Sequence, residues 1–386
     1  MFSRRAGWTL EPNEYSKLLE SKRLAGAPVL DLTLSNPTRA GFKYPRELLA
    51  ALADERGLVY EPSARGLPAA REAVAAEHSV TADRVMITAS TSESYSYLFK
   101  LLCNPGDRVL VPRPSYPLFE FLGTLENVEI AQYSLVYNDG WRIDFDSVRR
   151  LRNARTRALL IVNPNNPTGS YVRKDEVAEI AALGLPVISD EVFHRYPIQE
   201  AADTDWSPVA AQSLLFQLSG LSKLAGLPQL KAGWIILDGP EAMRREADER
   251  LEFIADTFLS VSSPVQHALG TLLRGGIEVR AQIRQRIVTN LEWLRSVAAP
   301  LDVQGGWSAI LRIPEHLEES ALVLELLEED DVLVQPGFFY DFEQDGYVVL
   351  SLLTGVDDFR EGVHRLLRRC LLHPADEHDR RSDASV

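Results

Sequence analysis

The chain has 386 residues, 45% hydrophobic and 25% charged, enough for two domains with a sizeable core and too apolar for a disordered chain. Its formal charge of −14 excludes the basic surface that nucleic acid or an anionic membrane demands, so a small-molecule substrate is expected. Cys103 and Cys370, each inside an apolar run, read as buried thiols of a reducing compartment; no window approaches the ~20 apolar residues of a membrane helix and the start lacks a signal-type apolar stretch, so a cytoplasmic location is expected.

Between residue 67 and about 240, apolar runs alternate with helix-like segments, the pattern of a largely parallel α/β sheet. Strands are predicted at Val85–Thr88, Val109–Val111, Ala158–Val162, Val187–Ser189, Leu214–Leu218 and Trp234–Leu237. Helices are predicted at Glu93–Leu102 and Lys174–Leu183, stopped by the turns "NPGD" and "GLP". Beyond Pro240 the spacing is helical over Glu241–Phe258 and Glu278–Val297, the second of these a connector. After Pro300 come short strands, one helix and a closing helix over Asp357–Leu372, a smaller α+β domain; residues 374–386 are polar and patternless and are expected to be a disordered tail.

Common site motifs are missing. No G-x-G occurs, which removes the dinucleotide fingerprint, and the P-loop is absent. "GLSKL" at 220–224 has Leu224 where a nucleophile elbow needs glycine, and the histidines lack metal-ligand spacing, so no metal is expected.

Four stretches at predicted strand ends carry chemistry instead. "TASTSES" (88–94) opens a helix with Ser90, Thr91 and Ser92 beside free backbone N–H groups, an anion site suited to phosphate. "IVNPNNPTG" (161–169) turns through two Asn-Pro steps that send asparagine side chains above the sheet. "VISDEVF" (187–193) ends a strand on Asp190, and "LSGLSKLAG" ends another near Lys223. Ligands of open α/β sheets bind at such strand ends. An amine, a carboxylate and phosphate donors together suit a phosphorylated aromatic aldehyde, pyridoxal 5'-phosphate.

At this point the chain resembles the class I/II aminotransferases of fold type I. The motifs that carry the resemblance are "YEPSARGLPAAREAV" (60–74), "NPGDRVLVPRPSYP" (104–117), "NPNNPTG" (163–169), "SDEVF" (189–193) and "LSKLAGLPQLKAGW" (221–234), over nearly the whole length. The resemblance implies a three-layer α/β fold with a mostly parallel seven-stranded sheet in a large domain, residues 46–275, and a small α+β domain of residues 1–45 with 276–373. It implies amino transfer between an amino acid or related amine and a 2-oxo acid; the alternative is a lyase, decarboxylase or cyclising enzyme using the same cofactor. Lys223 would carry the cofactor as a Schiff base and move protons, Asp190 would pair with the pyridinium nitrogen, Asn166 would bond the phenolic oxygen, and Tyr116 would stack on the ring. Ser90, Thr91, Ser92 and Ser222 would surround the phosphate, with Lys231 where the family usually has an arginine. Tyr60 would reach the neighbouring site of a homodimer, and Ser35 and Asn36 would lie near the substrate.

Two positions depart from the family's pattern. Phe193 stands where a tyrosine commonly shares the phenolic oxygen, which is expected to raise the Schiff-base pKa. In "YVVLSLLTG" (347–355), Val349 stands where an arginine usually clamps the substrate carboxylate. Either another cation does that work, with Arg39, Arg65 and Arg195 as candidates, or the substrate has no carboxylate there.

Overall fold

The computed structural model describes residues 2–198 and 204–372. The expected tail, 374–386, lies outside them. Strands in chain order are β1 Leu30–Asp31, β2 Val85–Thr88, β3 Arg108–Arg113, β4 Glu129–Tyr137, β5 Trp141–Ile143, β6 Thr156–Val162, β7 Val187–Asp190, β8 Leu215–Gly220, β9 Gly233–Asp238, β10 Ser308–Arg312, β11 Val332–Leu333, β12 Gln335–Pro336 and β13 Tyr347–Ser351.

β2 to β9 form one sheet in the order β2-β9-β8-β7-β6-β3-β4-β5. The run β8-β7-β6-β3-β4 is parallel, and β9 lies antiparallel between β2 and β8. The sheet has eight strands rather than the expected seven. β4 and β5 form an antiparallel hairpin around Asn138-Asp139-Gly140, with positive φ at Asp139 and Gly140 and a bond from Asn138 N to Gly140 O. That turn adds an edge strand.

Alternation along the strands builds the layers. In β6, Ala158, Leu160 and Val162 face one core with Leu98, Phe99 and Leu251 of helices Thr91–Leu102 and Glu241–Asp256, while Leu159 and Ile161 face Val177 and Ile180 of helix Lys174–Ala182. β2 and β9 turn Ile87, Trp234 and Ile236 toward helix Pro68–His78 and the start of helix Ser263–Val297. A further core gathers the end of that long helix around the sheet β10-β13-β12 and the parallel pair β1-β11.

The predicted connector at Glu278–Val297 begins earlier and runs unbroken from Ser263 to Val297. Pro264 in its first turn suits a helix start, where the missing N–H has no partner to lose. The glycines at 275 and 276 do not break it. At Gly276 a Cβ would overlap the Cβ of Ala225 and lie 2.8 Å from its Cα, so glycine lets the helix lie against the turn that follows β8. Gly276→Val is therefore expected to cost about 1–3 kcal/mol through overpacking, read as a lowered urea midpoint at unchanged slope. An unmoved midpoint would mean that the contact has slack.

Candidate active site

The carboxyl ends of β2, β6, β7 and β8 and the start of antiparallel β9 open onto a cavity of about 600 Å³. Ser90, Thr91, Ser92, Tyr116, Asn166, Asp190, Ser222, Lys223, Lys231 and Ser35 all line it. A larger surface hollow of about 1020 Å³, between Tyr137, Arg312 and Leu371, holds none of the motif residues.

Lys223 sits in the single helical turn Leu221–Leu224 directly after β8. Its backbone carbonyl accepts a 2.6 Å bond from Tyr196 Oη, and its Nζ lies 5.0 Å from the centroid of Trp307 and 5.7 Å from that of Phe193. Burial lowers the ammonium pKa, partly opposed by the charge of Asp190. A lysine that sheds its proton more readily is a better nucleophile and proton carrier.

Asp190 closes β7 and is buried. Burial raises its pKa to about 6, against the lowering effect of two hydrogen bonds, from Tyr95 Oη to Oδ2 and from Val192 N to Oδ1 at 3.1 Å. Tyr95 is itself fully buried, its own pKa raised by burial and then by Asp190. The pair leaves a carboxylate poised to accept a cationic partner from the cavity.

At the anion end, helix Thr91–Leu102 points its first turn into the cavity. Ser90 caps it by accepting from Glu93 N at 3.2 Å, leaving the Thr91 and Ser92 N–H groups without intrahelical partners. Ser222 joins that end from the Lys223 turn, and Lys231 is placed there by a left-handed residue conformation, φ 50° and ψ 58°, after the turn Pro228–Leu230. Gly233 allows the approach: a Cβ there would lie 3.0 Å from the carbonyl carbon of Ser90.

Of the asparagines in "NPNNPTG", Asn163 donates to Thr204, and buried Asn165 donates to Pro114 O and Thr168. Asn166 faces the cavity, accepting from Ser308 Oγ at 3.3 Å. Both Asn-Pro bonds are cis. Tyr116 forms a half-exposed wall, edge-on to Phe119.

Other expected residues lie elsewhere. Tyr60 is 75% exposed outside the cavity. Asn36 caps the turn Pro37–Arg39 through Thr38 N, and Arg39 is exposed. Arg65 is held 2.9 Å from Asp248 and donates to Asp83 O; Arg195 pairs with Glu77. None of the three arginines lines this chain's cavity. Val349 is buried with Trp141, Ile310, Tyr340 and Tyr347. Sequence reasoning missed Tyr95, Trp307, Gln335 and Tyr340. Tyr95 had a signal, lying one helical turn beyond Ser92; the others arrive from segments far along the chain, just before β10, in β12 and in the turn after it.

A family model for aminotransferase class I and II matches residues 28–355. The chain belongs to this family. It is a pyridoxal 5'-phosphate-dependent aminotransferase, in a family that uses amino and oxo acid substrates and is typically dimeric. The glutamate-pyruvate aminotransferase AlaA of Escherichia coli (strain K12) is 32% identical over 380 residues, 91% of this chain and 93% of that protein. An alanine aminotransferase from Pyrococcus furiosus superposes with a TM-score of 0.86 at 23% identity, covering 97% of this chain and 100% of the other. An aminotransferase structure from Escherichia coli gives 0.85 at 24% identity, covering 96% and 98%. At these identities the two structures speak for the fold. The site fits the cofactor: a helix N-terminus and Lys231 suit its phosphate, a buried carboxylate its ring nitrogen, and a desolvated lysine its aldehyde.

Because Tyr95 donates to the ionised form of Asp190, Tyr95→Phe should raise that pKa further. Cofactor uptake by cofactor-free wild type is expected to fall as pH drops through about 6, and the variant's uptake to fall at higher pH. Fluorescence titration across that range measures both midpoints; coincident midpoints would separate Tyr95 from Asp190.

Proposed function

We propose that Lys223 is the amine that holds the cofactor and moves the proton during amino transfer between an amino compound and a 2-oxo acid. The observation that carries the reading is the meeting of Lys223, Asp190, Asn166 and the Ser90–Ser92 turn in one cavity from four separate strand ends. When bound, the cofactor takes up the amino group and its protonated ring accepts the electron pair released at the substrate carbon. Asp190 keeps that ring nitrogen protonated. Asn166 donates to the phenolic oxygen, its carbonyl side being engaged by Ser308. Thr91, Ser92, Ser222 and Lys231 bind phosphate, with Ser90 holding the helix cap, and Tyr116 covers the ring face. Phe193 offers only its ring, so the phenolic oxygen lacks a second side-chain donor from that position.

The proposal includes a homodimer in which Tyr60 reaches the partner's phosphate, supported by the exposed apolar run Leu58, Val59 and Tyr60. It includes the division into residues 46–275 and residues 1–45 with 276–373. Support comes from the long helix, where Leu269, Leu272 and Leu273 belong to one core and Val279, Ile283 and Ile287 to another. Free Cys103 and Cys370 accord with a cytoplasmic setting.

Lys223→Ala is expected to abolish the visible absorbance of lysine-bound cofactor and, with it, amino transfer. Lys231→Ala should retain that absorbance at saturating cofactor but weaken affinity, on the order of tenfold for one lost charge-assisted contact. The opposite pattern would exchange the two roles. Mixed dimers of Tyr60→Phe and Lys223→Ala subunits carry one intact site if the tyrosine crosses the interface. Their activity should exceed that of either parent, and activity no higher than the parents' would refute sharing.

A further inference from the structure

We propose that the cavity selects amino donors in which the carbon bearing the amine carries an uncharged polar group, such as a hydroxymethyl or carboxamide, in place of a carboxylate. This rests on the assignment of Lys223 and Lys231 to the cofactor made above. Among the described residues that line the cavity, the charged ones are Lys223, Lys231 and Asp190. The cofactor takes all three: the first lysine as its anchor, the second against its phosphate, the carboxylate against its ring. No cation is left over in this wall for a substrate anion, and the phosphate adds negative charge beside it. A carboxylate placed there would lose its water without gaining a partner, the costly case for a buried charge.

The wall has a neutral reader instead. β12 and β13 pair antiparallel with Gln335 opposite Val349, and directly opposed residues present their side chains on the same face. Position 349 is closed: Val349 is 1% exposed, packed with Trp141, Ile310, Tyr340 and Tyr347. Its cross-strand neighbour Gln335 reaches the cavity. Tyr340 Oη donates to Gln335 Oε1, which fixes the amide and leaves its Nε2 hydrogens to donate. Two hydroxyls share the wall with known engagements. Ser351 Oγ donates to Leu34 O and accepts from Leu353 N at 3.2 Å, and Ser308 Oγ donates to Asn166 Oδ1, so the first keeps one lone pair and the second two that accept. The Gln335 amide and the buried, unpartnered Nε1–H of Trp307 donate while the two hydroxyls accept, which matches a hydroxyl or carboxamide that both accepts and donates. A carboxylate would be met by these hydroxyls only if they gave up their bonds to Leu34 O and Asn166 Oδ1.

In such a transfer the donor's amino nitrogen stays with the cofactor, one water is consumed, and the donor leaves as a hydroxy ketone or 2-oxo amide. The acceptor meets the same wall, so a 2-oxo acid is bound without a clamp and half-saturates at correspondingly high concentration.

The test uses the holoenzyme with matched sets: alanine, alaninol and alaninamide, then phenylalanine, phenylalaninol and phenylalaninamide. The concentration that half-perturbs the cofactor's visible band reads binding, and conversion to the amine form reads transfer. Neutral members are expected to half-saturate at least about tenfold lower than the parent amino acids, the scale of one unpaired buried charge. Gln335→Arg should reverse the order by about tenfold in favour of the amino acids. An equal or better response to the amino acids in the wild type overturns the proposal and means that a cation from beyond this wall reaches the cavity. An unchanged order in Gln335→Arg overturns Gln335 as the reader. Preferential binding of the neutral members without conversion leaves the selectivity standing and removes the transamination reading alone.

Discussion

Burying a carboxylate at the end of a strand is the constraint on which the site depends. Asp190 is out of water, and its cost is offset by two donors and by the charge of Lys223. Each of those donors ties another part of the fold to it. Val192 belongs to the turn after β7, and Tyr95 belongs to the helix whose first turn faces the cavity. A single carboxylate thus fixes the end of β7 against the start of that helix. Lys223 meets the complementary constraint: its amine lies against two aromatic rings, where a charge is poorly solvated and the neutral form gains.

The sheet was legible because its strands are buried on both faces and read as continuous apolar runs. Val85–Thr88 was predicted to the residue, and β6 and β8 were displaced by one or two residues at an end. The edge was less legible. β4 mixes polar and apolar residues and β5 has three residues, so neither yields a strong apolar run; their pairing depends on the Asp139-Gly140 turn. The long helix was placed too short at its start; it runs on through Gly275 and Gly276, which make room for Leu48 and Ala225.

Within the site, groups at strand ends could be read because position relative to a strand carries the information: Lys223, Asp190 and the Ser90–Ser92 turn. Groups recruited across long separations could not. Trp307, Gln335 and Tyr340 lie 84, 112 and 117 residues beyond Lys223, and only packing brings them to the cavity. Arg39, Arg65 and Arg195 show that a place in a motif does not fix a place in space, since none of them lines this chain's cavity. Arg65 is occupied by Asp248 and Arg195 by Glu77.

The helix Ser263–Val297 has a mechanical meaning. At 1.5 Å per residue its 35 residues form a rod of roughly 50 Å, with one core fastened to its first half and another to its second. Gly276 lies where the fastening changes and packs against Ala225, two residues past Lys223. The turn that carries Lys223 is therefore braced against the rod at the point where one core gives way to the other.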